Sequence, residues 1–182
     1  MTLGLTLWYA RVVRGFLALA MLAGVAATAR TLSLIELVQK SEIIAHGKVR
    51  SLETAKDEAG RTVTRVELDV DEIWKGAKTN RLSLVYEGGI LGERRVTVLG
   101  QPNYHPEEEV VVFCVRSTAG LLVTVEMAQG KFVVVRDGRG GVSVHNTVFG
   151  AIPSGPPAGG YRPPYQLPIS LKDLQRQVEE SQ

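Results

Sequence analysis

The stretch TVTRVELDVDEIW, Thr62 to Trp74, alternates apolar and charged residues. Val66, Leu68, Val70 and Trp74 fall on one side at period two; Arg65, Glu67, Asp69 and Asp71 fall on the other. An extended strand separates side chains this way, and a sheet with one packed and one wetted face needs that separation. The sequence therefore predicts a β protein with Trp74 on the same packed side as Val66, Leu68 and Val70.

The rest of the chain repeats short segments of this kind. EIIAHGKVRSLET reads as a strand, and Gly47 inside it marks a bulge or sharp bend. DEAG and KGAKTN are turns. RLSLVY is a strand with Leu82, Leu84 and Tyr86 alternating, EGGILGE a loop, and RRVTVL a further strand. GQPNYHPEEE is a loop that runs into the apolar VVVFCV. LLVTVEM and AQGKFVVVRD are strands, and DGRGG turns the chain into VSVHN. Many short strands with glycine-containing turns imply an antiparallel barrel or sandwich.

Two helix starts flank the strands. In TLSLIELVQKS, Ser33 and Glu36 have capping-box spacing, with Leu32 and Leu37 placed as a hydrophobic staple. A helix over Leu34 to Lys40 follows. The tail ISLKDLQRQVEESQ uses the same recipe, with Ser170 and Asp173 as the cap pair and Ile169 and Leu174 as the staple. Leu171, Leu174 and Val178 then form a narrow apolar stripe.

The first 29 residues read differently. Arg11 and Arg14 precede the uncharged run GFLALAMLAGVAATA, which ends in a small-x-small pattern at Ala27-Thr28-Ala29. This is the composition of a cleaved secretory signal peptide; the run is short for a membrane span of roughly 20 apolar residues. Taking the leader's two arginines from the chain's 21 basic residues leaves 19 against 19 acidic ones. The basic excess lies in the leader, so nucleic-acid binding loses its electrostatic basis. The single cysteine, Cys114, makes no internal disulfide. Inside the run Val110 to Val115 it reads as a small buried apolar residue with a raised thiol pKa. The expected organisation is a signal peptide at 1–29 and an OB-like antiparallel β-barrel domain at 30–148. A Pro/Gly-rich strap at 149–168 and a C-terminal amphipathic helix at 169–182 complete it.

Candidate chemistry is sparse. His46, His105 and His145 are not set at ligand spacing. His46 shares a strand face with Lys48 and Arg50 and is expected to be solvated. A metal site would gather His105 with the Glu107, Glu108 and Glu109 cluster from a loop. No Ser/His/Asp arrangement or nucleophile elbow is present. Lys131 in AQGKF lacks the surrounding residues of a phosphate loop and reads as the start of a strand. Asp69 and Asp71, on the wet strand face, are candidates for calcium or a basic partner. Tyr161 and Tyr165, with Arg162 between them in GGYRPPYQLP, carry residue types that anchor interfaces; the alternative is that both tyrosines fasten the strap to the barrel.

In order, the phrases LSLIELVQKSEIIAHGKV, VTRVELDVDEIWKG, GQPNYHPEEEVVVFCV and AQGKFVVVRD resemble a family of exported bacterial proteins of unknown function. In that family the third phrase has Pro-Gly-Glu opening the apolar strand. Here Glu107 or Glu108 stands at the glycine, and Glu108 is the residue expected to carry any backbone strain. ELVQKSEIIAHGKV and VELDVDEIWKG are also similar, more distantly, to the netrin-like module of the tissue inhibitors of metalloproteinases. That resemblance implies a five-stranded OB-type barrel with flanking helices. It does not imply the inhibitors' mechanism, because their N-terminal chelating cysteine has no counterpart here.

The resulting expectation is a periplasmic or secreted, non-enzymatic binding module. Its partner is an extracytoplasmic protein or glycan, with no cofactor, no nucleic acid, and membrane contact only through the signal peptide. The alternatives are a protease inhibitor acting through a loop, and a metal-dependent hydrolase built on His105 with Glu107 to Glu109.

Overall fold

A computed structural model of the chain describes residues 31–138, 140–146 and 169–182. Helix α1 (Leu34–Lys40) comes first. Strands β1 (Ile43–Lys56), β2 (Thr62–Lys75), β3 (Arg81–Glu87), β4 (Gly89–Leu91), β5 (Arg94–Val96) and β6 (Glu109–Arg116) follow. The remainder is β7 (Leu122–Thr124), a 3₁₀ turn at Met127–Gly130, β8 (Lys131–Arg136), β9 (Val142–Asn146), β10 (Ile169–Ser170) and helix α2 (Leu171–Glu180). Among the described residues no helix is long and apolar enough to cross a membrane.

Eight strands form one antiparallel sheet in the order β10-β9-β8-β6-β1-β2-β3, with β7 also pairing β6. The mainly β, antiparallel expectation therefore holds. The sheet does not close by hydrogen bonds. It curls until β3 lies alongside β7, yet the two edges make no ladder.

Strand β6 is the centre of the molecule. Val110, Val112 and Cys114 point into a cluster with Ala45, Val49, Val66, Leu68 and Leu84 inside the curl. Val111 and Phe113 point the other way, into a second cluster with Phe132, Val144 and both helices. A strand buried on both faces needs a continuous apolar run, which VVVFCV supplies.

Helix α1 has the predicted bounds. Ser33 Oγ accepts from the Glu36 N–H at 3.2 Å, and Glu36 Oε2 accepts from the Ser33 N–H at 2.8 Å. Leu32, Leu37 and Val38 sink into the second cluster. At the other end Lys75 Nζ donates to the Val38 carbonyl at 2.7 Å, satisfying a helix-end acceptor. Helix α2 starts at Ser170, whose Oγ accepts from the Asp173 N–H at 3.1 Å, and buries Leu174 and Val178.

Gly47 marks a bulge, as its position implied, but the extra residue lies opposite it, on β2. The register pairs Gly47 with Val70 but His46 with Glu72, leaving Asp71 as an extra residue. A second shift pairs Ala45 with Ile73 and Ile44 with Lys75, leaving Trp74 extra. Only glycine fits at the first shift: a Cβ at Gly47 would stand 2.3 Å from the Asp69 carbonyl oxygen. These shifts correct the period-two reading. Val66 and Leu68 stay inside the curl, but Trp74 joins the opposite cluster with Ile44 and the helices. One extra residue reverses the alternation of everything after it.

Two further expectations change. EGGILGE is not a loop: β4 pairs with β5 in a separate two-stranded sheet, and RRVTVL keeps only Arg94–Val96 as strand. LLVTVEM stops at Thr124, because Glu126 (φ 46) and Met127 (φ 59) turn left-handed and lead into the 3₁₀ turn.

Candidate binding groove

Three polar arrangements surround the cores. The first answers what HPEEE does. Lys131 begins β8 but is 1% exposed. Its Nζ donates to Glu108 Oε2 at 2.7 Å and to the Asn103 carbonyl, and lies 4.5 Å from the centre of the Tyr104 ring. Burial lowers the lysine's pKa, and the Glu108 carboxylate opposes that shift. The lysine thus fastens the Gln101 to Glu109 loop to the sheet. Tyr104 is buried and its Oη has no hydrogen-bond partner. Burial pushes its pKa well up, the neighbouring Cys114, Glu108 and Tyr86 add to the rise, and Thr124 opposes it.

The second arrangement corrects the placing of His46, which is 8% exposed rather than solvated. Its Nε2 lies 2.8 Å from Glu109 Oε1, and its ring is 6.2 Å from that of Trp74. Arg136 grips the same carboxylate, donating Nε to Oε2 at 2.8 Å and a terminal nitrogen to Oε1 at 2.6 Å. The Arg136 bonds hold Glu109 below the usual carboxylate range against the effect of burial, and His46 adds to the lowering. The third is at the surface, where Glu107 pairs with Lys48 at 2.5 Å.

His105, Glu107 and Glu109 therefore face separate partners: His105 Nε2 meets the Asn103 amide at 3.2 Å, Glu107 meets Lys48, and Glu109 meets His46 and Arg136. Among the described residues no three His, Cys, Asp or Glu side chains are grouped to hold a metal ion. The left-handed residue of the stretch is Glu107 (φ 67), not Glu108. Asp69 pairs with Arg50 at 3.5 Å and Arg81 at 3.6 Å. Asp71, extra in the bulge, lies near enough to Lys48 and Arg136 to help raise both their pKa values, in each case behind the stronger effect of a glutamate. Cys114 is fully buried, and burial pushes its thiol far up. Tyr161, Arg162 and Tyr165, with the strap at 149–168 and the leader at 1–29, lie outside the described residues.

A concave surface lies at the seam where β3 meets β7. Three hollows of ≈ 650, ≈ 350 and ≈ 280 Å³ share Val85 of β3 and Leu121 beside β7, so they form one groove. Val63 and Val123 add to its apolar walls. Three of its four arginines are held by the protein itself: Arg61 by Asp57 at 2.7 Å, Arg81 by Asp69, and Arg116 by Glu42 at 3.8 Å; the fourth is Arg65. Leu121 and Met127 are each 48% exposed on the rim. Leu99, 96% exposed, precedes Gly100, where an added Cβ would meet Met127 Sδ at 3.0 Å. Large aliphatic side chains at the edge of a groove are what a binding surface presents.

Sequence reasoning missed this groove. Its walls come from strands that meet only when the sheet curls. The one local signal was the pair of aliphatic residues in loops, Leu99 and Leu121, with no packed face to join. No protein-family profile, no curated protein and no solved structure matches this chain.

Proposed function

We propose that the chain is an exported, non-enzymatic interaction module that binds an extracytoplasmic protein in the groove between β3 and β7. The observation that carries this reading is the groove itself, walled by Val85 and Leu121 and rimmed by exposed Leu121 and Met127. Met127 supports it further. Two consecutive non-glycine residues, Glu126 and Met127, take left-handed backbone and set that side chain outward. Such conformations cost about 1–3 kcal/mol each and cluster where surfaces are used. Methionine adapts to the shape of an apolar partner.

Export rests on the sequence of the leader, and the destination is the periplasm or the exterior. The curled β1-β2-β3 and β6-β7 strands, with β3 beside β7, support an OB-like barrel left open at one seam, in keeping with the netrin-like resemblance. The fold alone does not carry the function; the groove does.

The test is affinity capture from an envelope fraction with wild-type and Leu121→Asp baits of equal thermal stability. Proteins held by the wild type and lost from the variant support the reading. Identical captures from both baits, together with hydrolytic activity of the purified protein, refute it.

A further inference from the structure

We infer that the groove takes an extended peptide segment of its protein partner, which adds as a strand to the open edge of β3. The inference rests on the groove being the contact surface and names the form that its partner presents.

Strand β3 ends the main sheet and pairs on one side, with β2. The register fixes which of its backbone groups are left over. The Gly88 N–H donates to the Thr62 carbonyl at 2.8 Å, and the Val70 N–H to the Asn80 carbonyl at 3.0 Å. Even-numbered residues along β3 therefore turn their N–H and C=O toward β2, and Arg81, Ser83, Val85 and Glu87 turn theirs away. Arg81 is satisfied locally: its N–H donates to Thr79 Oγ1 at 3.3 Å, and its carbonyl accepts from the same hydroxyl at 2.9 Å. The backbone groups of Ser83, Val85 and Glu87 join no ladder among the described residues.

Strand β7 faces them in the same condition. The Ser117 N–H donates to the Leu121 carbonyl and the Val125 N–H to the Phe113 carbonyl, both at 2.8 Å. Leu122 and Thr124 therefore turn their backbone groups away from β6, toward β3. β7 has three residues against seven in β3, and the hollows of ≈ 280 and ≈ 350 Å³ line β3 from Arg81 to Glu87. Two facing edges with unladdered groups, and open space along them, are a template for one more strand.

The edge is also unguarded. Edge strands are commonly blunted by proline, a bulge or charges along the strand. β3 runs in unbroken register with β2, has no proline, and carries charge only at its ends, Arg81 and Glu87. Side chains set the preference for the segment. Val85, Leu121 and Val123 suit aliphatic residues at alternate positions. Arg65 lines two of the hollows, and its side chain makes no ion pair or hydrogen bond among the described residues. It suits a carboxylate on the segment.

Panning short random peptides against the purified protein, followed by amide exchange measured by NMR with and without an enriched peptide, tests this. Enriched sequences should alternate aliphatic residues and carry an acid. Bound peptide should slow exchange at the Ser83, Val85 and Glu87 amides and leave Leu82 and Leu84, already in the β2 ladder, unchanged. Val85→Pro removes an outward N–H and spares that ladder; it should weaken binding about tenfold. The exchange measurement on the wild type decides the matter even if that variant does not fold. No enriched peptide, or bound peptides that leave the three amides exchanging as before, overturns the inference. Amides already protected in the protein alone overturn it too, because the chain then covers its own edge. If any of these results comes with an envelope partner still lost on Leu121→Asp, strand addition alone falls and the groove's binding role stands.

Discussion

Glu108 and Lys131, 23 residues apart in the chain, meet at 2.7 Å with the lysine side chain 1% exposed. Removing one partner of a buried pair strands the other's charge, at a cost of about 3–5 kcal/mol. Glu108→Gln should destabilise by about that much at neutral pH. The loss should shrink in alkali. Burial already holds the lysine below its ordinary 10.5, and without Glu108 it falls further. The unfolded chain then binds the extra proton, so stability rises with pH up to the ordinary lysine value. Denaturant titrations of wild type and variant at two pH values check this; a gap that widens with pH contradicts it.

Glu109 responds in the opposite range. Arg136 and His46 hold its carboxyl below the usual 4.5. A lowered carboxylate pKa contributes stability above the unfolded value and loses it as pH falls through the folded value. Glu109→Gln should cost about 1–3 kcal/mol at neutral pH. Wild type and variant should converge as the pH drops below about 4.5. Melting curves at several acidic pH values read this out, and parallel curves would count against it.

Gly47→Ala drives a methyl group to 2.3 Å from the Asp69 carbonyl oxygen, so β1 and β2 must separate locally. Overpacking against backbone costs about 1–3 kcal/mol. Because Trp74 follows the bulge in register, its fluorescence should shift as well. A Gly47→Ala variant with unchanged midpoint and emission would exclude the bulge.

Glu107→Gly tests the opposite kind of change. The residue sits at φ 67, and its exposed pair with Lys48 holds little energy. Relief of left-handed strain, less the extra entropy of an unfolded glycine, should leave the variant about 0.5–1 kcal/mol more stable. A clear loss of stability on chemical denaturation is the opposing outcome.

The local features were legible in the sequence and the long-range ones were not. The cap and staple of α1 are contained in Leu32 to Leu37, and the two-sided burial of β6 is contained in VVVFCV. Trp74 was misplaced because the period of two was carried across Glu72 and Ile73, which break the alternation where the pairing with β1 shifts register. His46 reads as solvated beside Lys48 and Arg50; Glu109 and Arg136, which enclose it, arrive from β6 and β8. Lys131 looks like an ordinary strand start because its carboxylate partner belongs to another loop. The groove left no sign in the sequence beyond the loop aliphatics Leu99 and Leu121, since Val85 and Leu121 meet only across the seam.

The most direct test of the groove's role is photo-crosslinking in the living cell. A photoreactive residue is placed at position 121 on the rim, and another at Lys172, exposed on α2, as the control. Discrete crosslinked products from position 121 alone, abolished by Val85→Asp in a folded protein, are the predicted result. The same products from both positions, or products at 121 that survive Val85→Asp, would contradict a groove that binds.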